Sequence, residues 1–239
     1  GVVGGEEEVF SELVLWAWHG EHDLRFLAKR PAGARPVHVA YLARRLVVHS
    51  WGIEVQPRAK ALRTAPGTQL SAVLRIETEA GLSAARFREL LAQVMEHVSI
   101  VAGEPELVAL QIDFDVPRSL RGVYRELLRE ARHKLRPGQR LEMTALTSWC
   151  LQDRWIDPGL VDAAVPMVFE MGSGEEGLRD DLQGLGKFAE PLCQGQIGQS
   201  TTDRLSSLLD SRRVFVFAPG PWTEARVAKT ELALASGSW

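Results

Sequence analysis

Residues 107–117 constrain the fold of this chain more than any other part of the sequence. An apolar run of strand length ends in two aspartates, Asp113 and Asp115, which are separated by one phenylalanine. Side chains alternate between the two faces of a strand, so the two aspartates share a face. A continuous apolar run is typical of a strand that is buried on both sides, as in a parallel sheet. Two like charges at the end of such a strand destabilise the fold, so their presence indicates a function.

A helix is predicted directly after this strand. Apolar residues recur at helical spacing between Leu120 and Leu135, Ser119 is a suitable N-cap, and Pro137 followed by Gly138 ends the pattern. Strand, acids and helix together make one β/α unit with its carboxylates at the C-terminal end of the strand. Parallel α/β folds place their active sites at that end.

Seven further segments have the length and apolar content of strands, which makes eight in all. They are residues 9–18, 37–43, 70–77, 141–149, 165–172, 192–199 and 214–217. Helices are also predicted over 83–98, 157–164, 175–188, 202–209 and 223–234, and a hairpin-like excursion over 44–55. Alternating strands and helices indicate a parallel sheet, and eight strands in 239 residues favour a closed (β/α)8 TIM-type barrel over an open doubly wound sheet. No linker rich in proline, glycine or serine divides the chain, so residues 1–239 are expected to form a single domain, with 1–8 as a disordered tail.

The composition argues against several kinds of partner. The formal net charge of −3 disfavours nucleic acid, because phosphate binding requires a basic surface. No apolar run approaches the roughly 20 residues that span a bilayer.

No phosphate-binding G-x-x-x-x-G-K-[ST] loop and no G-x-S-x-G serine nucleophile motif occurs, so we expect no nucleotide cofactor and no serine hydrolase chemistry. His19 and His22 beside Asp23 are interpreted as solvated loop residues, so no metal site is predicted. The oligomeric state stays open.

The two cysteines, Cys150 and Cys193, lie far apart in the sequence. Two cysteines cannot make a disulfide framework, and no C-x-x-C pair or cysteine–histidine cluster indicates structural zinc. We expect two buried thiols, with a single disulfide between them as the alternative.

The chain begins without methionine and without a basic-then-apolar signal pattern, so any export signal would lie outside this sequence. The compartment stays open, with export to the periplasm or cell surface favoured over the cytoplasm.

In such a barrel the C-terminal ends of the strands meet at one rim, and the predicted strand ends are rich in acids and tryptophans. Carboxylates serve as general acid, base or nucleophile, and crowding them pushes their pKa values apart. Tryptophan rings can stack on the apolar face of a sugar. We therefore predict Asp113, Asp115 and Glu170 as catalytic residues. The predicted substrate-binding residues are Trp18, His19, Arg75, Glu77, Trp149, Gln196 and Trp222.

These residues also have a structural interpretation. Asp113 could accept hydrogen bonds from loop amides and from Arg75, and Glu77 could simply pair with the same arginine. Asp115 could contact the start of the following helix. The tryptophans could pack the rim rather than contact a ligand.

The sequence resembles a family of bacterial proteins of unknown function that have an Ile-Asp-Phe-Asp strand and a later Thr-Ala-Leu-x-Ser-Trp-Cys strand. Here these are residues 112–115 and 144–150. That family is similar, at a distance, to the chitinase-like barrels of glycoside hydrolase family 18, which have a D-G-x-D-x-D-x-E strand and a later Met-Tyr-Asp strand. Residues 111–115 match the middle of the first motif, and residues 167–172 resemble the second, with Phe169 and Glu170 in place of tyrosine and aspartate. The resemblance implies a β/α barrel that acts on a glycan.

One departure from the chitinase-like pattern changes the expected mechanism. Pro117 occupies the position of the glutamate that donates the proton in those enzymes, and proline has no proton to donate. Either Asp115 or Glu170 then takes over the proton transfer, or the barrel binds a glycan without cleaving it. A scaffold or interaction protein is a third alternative, which predicts rim acids held in internal ion pairs and no open pocket. We predict a glycoside hydrolase-like barrel with Asp115 as acid/base, Asp113 as its electrostatic neighbour and Glu170 as the second carboxylate.

Overall fold

The computed structural model describes residues 11–18, 20–58, 60–169, 180, 186–203, 205 and 212–236. The strands of this part of the chain are β1 (Glu12–Ala17), β2 (His22–Leu24), β3 (Val37–His49), β4 (Gly52–Pro57), β5 (Leu62–Thr64), β6 (Leu70–Thr78), β7 (Leu107–Phe114), β8 (Arg140–Leu146), β9 (Ala163–Met167), β10 (Gln196–Ser200) and β11 (Arg213–Phe217). Its α-helices are α1 (Ala84–Ala102), α2 (Arg121–Lys134) and α3 (Glu224–Ser236).

Eight parallel strands close into a barrel. Their hydrogen-bonded order is β1, β3, β6, β7, β8, β9, β10 and β11, and β11 pairs again with β1. Helices α1 and α2 connect β6 to β7 and β7 to β8, and α3 follows β11. The predicted (β/α)8 TIM-type barrel is therefore confirmed.

A hairpin extends one side of the barrel at the C-terminal ends of the strands. Strand β3 continues to His49, turns at residues 50–51 and pairs antiparallel with β4, as the excursion over 44–55 predicts. A register shift between Leu42 and Arg44 interrupts the pairing of β3 with β6. This bulge brings Arg45 level with Arg75 of β6.

Three local predictions are wrong. Residues 118–120 form a 3₁₀ turn, and α2 begins at Arg121 with no side-chain cap, so Ser119 is not its N-cap. The fifth predicted strand ends at Leu146, because residues 147–150 turn into a second 3₁₀ segment. The predicted helix over 157–164 is a turn that leads into β9. The N-cap of α1 is confirmed, since Ser83 Oγ accepts a hydrogen bond from Arg86 N at 3.1 Å.

Several predictions fall on residues outside the described part of the chain. The N-terminal tail over 1–8 lies there entirely, and the helices predicted over 175–188 and 202–209 lie there for most of their length.

The apolar core has two layers. The larger layer lies between the barrel wall and the surrounding helices and turns. The smaller layer fills the barrel interior, where Val14, Trp16, Val165 and Phe215 pack together. Trp16 is fully buried, and its Nε1 donates a hydrogen bond to Gln111 Oε1 at 2.9 Å. The interior is thus a packed core, as expected for a barrel of eight strands.

Charged residues close the N-terminal end of the interior. Glu142 is completely buried, and its Oε2 accepts a hydrogen bond from Arg213 Nη1 at 2.6 Å. Arg213 Nε lies 3.5 Å from Glu12 Oε1, and that carboxylate lies 3.5 Å from His38 Nε2. A ligand could therefore reach the interior only from the C-terminal end.

Cys150 and Cys193 form a disulfide. The expectation of two free thiols is wrong, and the alternative of a single disulfide is correct. The bond joins the turn after β8 to the short 3₁₀ segment before β10. Both segments lie next to barrel strands, and Glu190 N donates a hydrogen bond to Cys150 O at 3.0 Å in the same region.

Candidate functional site

Polar side chains converge at the C-terminal end of the interior, where β6 and β7 run side by side. Arg75 of β6 is level with Asp113 of β7, and Arg75 Nη1 lies 3.6 Å from Asp113 Oδ2. Arg75 also donates from Nε and Nη2 to Glu77 Oε1, at 3.2 and 3.1 Å. The sequence predicts that Arg75, Glu77 and Asp113 lie together, and the register of the parallel strands β6 and β7 brings them side by side.

Asp113 lies inside the barrel, because it is two residues after Gln111, whose side chain bonds Trp16 in the interior. Only 7% of the residue is exposed, and its Oδ1 accepts a hydrogen bond from Thr144 Oγ1 at 2.8 Å. Burial raises the pKa of Asp113 to about 6, and the charge of Asp115 adds to this, although Arg75 and the Thr144 hydrogen bond oppose it. This carboxyl group therefore exchanges its proton close to neutral pH.

Asp115 directly follows the last residue of β7, its charge acts on Asp113, and the residue is exposed. Partial burial of its carboxyl raises the pKa, Arg75 lowers it again, and Glu77 adds a smaller upward effect. Among the described residues, no side chain donates a hydrogen bond to this carboxylate. A pair of acids results, one buried and hydrogen-bonded, the other open to solvent.

The polar cluster continues onto the hairpin. Arg45 pairs with Glu77 and donates from Nη1 to Gln56 Oε1 of β4 at 2.8 Å. Arg45 is not among the residues predicted from the sequence, because its position depends on the bulge in β3. Side chains on the same face of neighbouring strands contact each other, so a partner for Glu77 on the strand beside β6 could have been expected.

Aromatic residues form the opposite wall of the opening. Trp18 packs against Trp16 and Phe217, with ring centroids 5.3 Å apart in each pair. Phe169 stacks on Phe217 at 6.3 Å with an interplanar angle of 5°. Trp18 is only 9% exposed, so much of its ring belongs to the core. Neither phenylalanine is among the site residues predicted from the sequence, although Phe217 ends β11, Phe169 lies two residues after β9, and both pack on the interior cluster.

Two predicted sugar platforms are buried. Trp149 is 1% exposed and packs edge-on against Trp155 at 5.0 Å, and Trp222 is 2% exposed. Trp222 Nε1 donates a hydrogen bond to Trp16 O at 3.0 Å. Neither ring has an open face for a sugar in this structure, and we leave both out of the proposed site.

Gln196 lies at the opposite end of the barrel from the acids, so its predicted place on the rim is wrong. It is the first residue of β10 and is level with Arg213 at the N-terminal end. Strand β10 begins four residues later than the sequence indicates, because Pro191–Cys193 forms a 3₁₀ turn. Gln196 Nε2 donates to Ala164 O and Leu192 O, which is a structural role. His19 and Glu170 lie outside the described residues.

Other kinds of site find no support in the described part of the chain. It contains no group of three or more histidine, cysteine, aspartate or glutamate residues that could hold a metal ion. None of its helices is long and apolar enough to cross a membrane. Comparison with protein-family models, with curated proteins and with solved structures gives no match.

Proposed function

We propose that this barrel binds a glycan at its C-terminal opening and hydrolyses a glycosidic bond there. The observation that supports this most is the acid pair on β7. Asp115 is exposed and has a raised pKa, and its charge acts on the buried Asp113 two residues before it. Glycoside hydrolysis requires a carboxyl group that still holds a proton near the working pH, and burial is the usual means of providing one.

In the proposed reaction Asp115 donates a proton to the leaving oxygen of the glycosidic bond. Asp113 is too buried to reach a polymer directly. The charge of Asp115 raises the pKa of Asp113, so the two carboxyl groups do not ionise independently. Arg75 positions Asp113, because its guanidinium contacts Asp113 and is also held by Glu77. The reaction needs water and carboxyl groups only, so we propose no cofactor.

Glycosidases use a second carboxylate, as nucleophile at about 5 Å from the acid or as base at about 6.5–9.5 Å. Glu170, which lies outside the described residues, remains our prediction from the sequence for this role. Trp18 and Phe217 provide an apolar wall against which the C–H face of a sugar ring can pack.

A barrel that binds a glycan without cleaving it is the second candidate. Two observations favour it: Pro117 replaces the proton-donating glutamate of the chitinase-like motif, and Asp113 already has Thr144 and Arg75 as partners. A pure scaffold is less well supported, because Asp115 remains exposed rather than held in an internal ion pair.

We also propose that the protein functions in an oxidising compartment, such as the periplasm or the cell surface. The Cys150–Cys193 disulfide supports this, because structural disulfides persist mainly outside the reducing cytosol.

Hydrolysis can be tested by incubating the protein with a panel of neutral and acidic oligosaccharides and measuring new reducing ends. Wild type, Asp115→Asn and the control Asp157→Asn, an exposed acid away from the opening, are compared. Cleavage by wild type and by the control, but not by Asp115→Asn, supports the proposal. Binding without cleavage by any form would favour the non-catalytic candidate.

A further inference from the structure

A groove with several cations lies beside the acid cluster at the C-terminal end of β1 and β3. It has a volume of about 190 Å³, and the residues that matter here are Trp18, Leu42, Arg44, Arg45, Arg58 and Lys60. We call it the basic groove. No acidic residue lines it in the described part of the chain. Arg45 connects it to the acid cluster, because the same guanidinium pairs with Glu77.

The charge of Arg58 is not neutralised by any described carboxylate. Its guanidinium donates instead to three main-chain carbonyls, to Ala17 O at 3.1 Å, Leu42 O at 3.3 Å and Gly20 O at 2.9 Å. These bonds fix the group at the strand ends but leave its net charge in place. Its pKa is lowered by burial, which is the direction expected for a cation without a counterion.

Two other cations of the groove also lack a carboxylate partner among the described residues. Arg44 Nη1 lies 2.7 Å from Nδ1 of His97, and burial and Arg44 both lower the pKa of that histidine, so the ring is a neutral partner. Lys60 is exposed at the end of the groove. Among the described residues, Arg45 alone of the four cations that line the groove is paired with an acid.

An uncompensated cluster of this kind favours an anionic ligand. Trp18 and Leu42 add apolar surface to the same groove, which suits the carbon face of a sugar ring. The volume is below the roughly 300–1,000 Å³ of sites for drug-sized ligands, so the groove has room for one sugar unit rather than a whole oligosaccharide.

We infer that the basic groove is a subsite for an acidic sugar residue, whose carboxylate or sulfate group is bound by Arg58 and Lys60. The inference rests on the proposed function and gives it a substrate class: the glycan is a polyanion, with one charged unit in the groove and the bond to be cleaved beside Asp115.

The test compares acidic and neutral ligands. Binding of tetragalacturonate and of its fully methyl-esterified form is measured by calorimetry, with a sulfated carrageenan tetrasaccharide as the sulfate arm. Lys60→Gln is the main variant, because Arg58 also bonds three carbonyls and its removal loosens the end of the barrel. Lys60→Glu reverses the charge at the same position. Lys134→Gln, an exposed lysine at the end of α2, is the matched control.

We expect one of the acidic ligands to bind wild type more tightly than the neutral ester does. Lys60→Gln should weaken the acidic ligand about three- to ten-fold and Lys60→Glu more, with Lys134→Gln unchanged. Raising the salt concentration should weaken the acidic ligand selectively. Selective binding of the galacturonate identifies a carboxylate, and selective binding of the carrageenan identifies a sulfate.

Failure of this inference and failure of the proposed function give different results. Equal binding of acid and ester, unaffected at Lys60, overturns the acidic subsite but leaves hydrolysis of a neutral glycan intact. Lys60-dependent binding of an acidic ligand without cleavage supports the subsite and overturns hydrolysis. If none of the three ligands binds, the acidic subsite is wrong, and the reducing-end assay on the wider oligosaccharide panel decides separately on hydrolysis.

Discussion

Arg75 and Asp113 lie level with each other on neighbouring strands, with 3.6 Å between Arg75 Nη1 and Asp113 Oδ2. The cation does not restore an ordinary acidity to the aspartate, because burial outweighs it and the guanidinium is shared with Glu77. The result is a carboxyl group that holds its proton more tightly in the folded protein than in the unfolded chain. Both stability and chemistry should reflect this.

The first prediction concerns the pH dependence of stability. The pKa of Asp113 rises from 3.8 to about 6 on folding, so the folded state binds more protons between these values. Stability contributed by this group is therefore fully present below about pH 4 and is lost as the pH rises through 6. The loss amounts to at most about 3 kcal/mol. Asp113→Asn removes it, so wild type should lose stability relative to this variant between pH 4 and 7.

Urea unfolding at a series of pH values measures this difference. Asp157→Asn, at an exposed site, should run parallel to wild type over the same range. A constant difference between wild type and Asp113→Asn from pH 4 to 7 would contradict the raised pKa.

The second prediction concerns the packing of the barrel interior at Gly198. A Cβ atom at this position would lie 2.5 Å from Trp16 Cη2 and 3.2 Å from Pro166 O, and both neighbours are fixed in the core. Gly198→Ala should destabilise the fold by about 1–3 kcal/mol. For a chain of this size, that lowers Tm by about 2–4 °C per kcal/mol.

Gly122→Ala is the control for this substitution. Gly122 lies in α2, and a Cβ atom added there would meet nothing within 4 Å, so alanine should leave Tm unchanged or raise it slightly. Equal Tm values for wild type and Gly198→Ala would mean that Trp16 is not packed against β10.

The third prediction contrasts a buried acid with an exposed one. Glu142 is fully buried between Arg213 at 2.6 Å and Arg140 at 3.5 Å. Glu142→Gln therefore removes the carboxylate partner of Arg140 and leaves Arg213 with only Glu12, at 3.5 Å. We expect a loss of about 3–5 kcal/mol in unfolding free energy. Glu126→Gln breaks the exposed pair with Arg88 and should cost less than about 1 kcal/mol. Similar losses for both variants in denaturant unfolding would argue against a sealed N-terminal end.

The fourth prediction concerns the disulfide, which closes a loop with a sequence separation of 43 residues. Replacing both cysteines by serine should lower stability by about 4 kcal/mol, on the chain-entropy estimate. Unfolding of the wild type with and without reductant should show a loss of the same size. Two titratable thiols in the unreduced, unfolded protein would show that Cys150 and Cys193 are not bonded.

Much of the fold follows from local patterns in the sequence. The eight strands are visible as short apolar runs, and the two acids are predicted correctly at the C-terminal end of one of them, with Asp113 in β7 and Asp115 directly after it. The cluster of Arg75, Glu77 and Asp113 also follows, since the ends of adjacent parallel strands coincide.

The errors arise where position depends on register or on distant contacts. Gln196 belongs to the N-terminal end because a 3₁₀ turn delays the start of β10, and no periodicity marks such a turn. Arg45 reaches Glu77 only through a bulge in β3. Trp222 is buried by a segment far away in the sequence, as the 206-residue separation of its hydrogen bond to Trp16 illustrates.

The central claim is that Asp115 is the acid of a glycosidase, and one substitution tests it most directly. Turnover and binding of the same oligosaccharide are measured for wild type and for Asp115→Asn, which keeps the size of the side chain but has no proton to donate. We predict that turnover falls by at least about 100-fold while binding changes only a few-fold. Turnover that persists in Asp115→Asn would contradict the assignment of Asp115 as the acid.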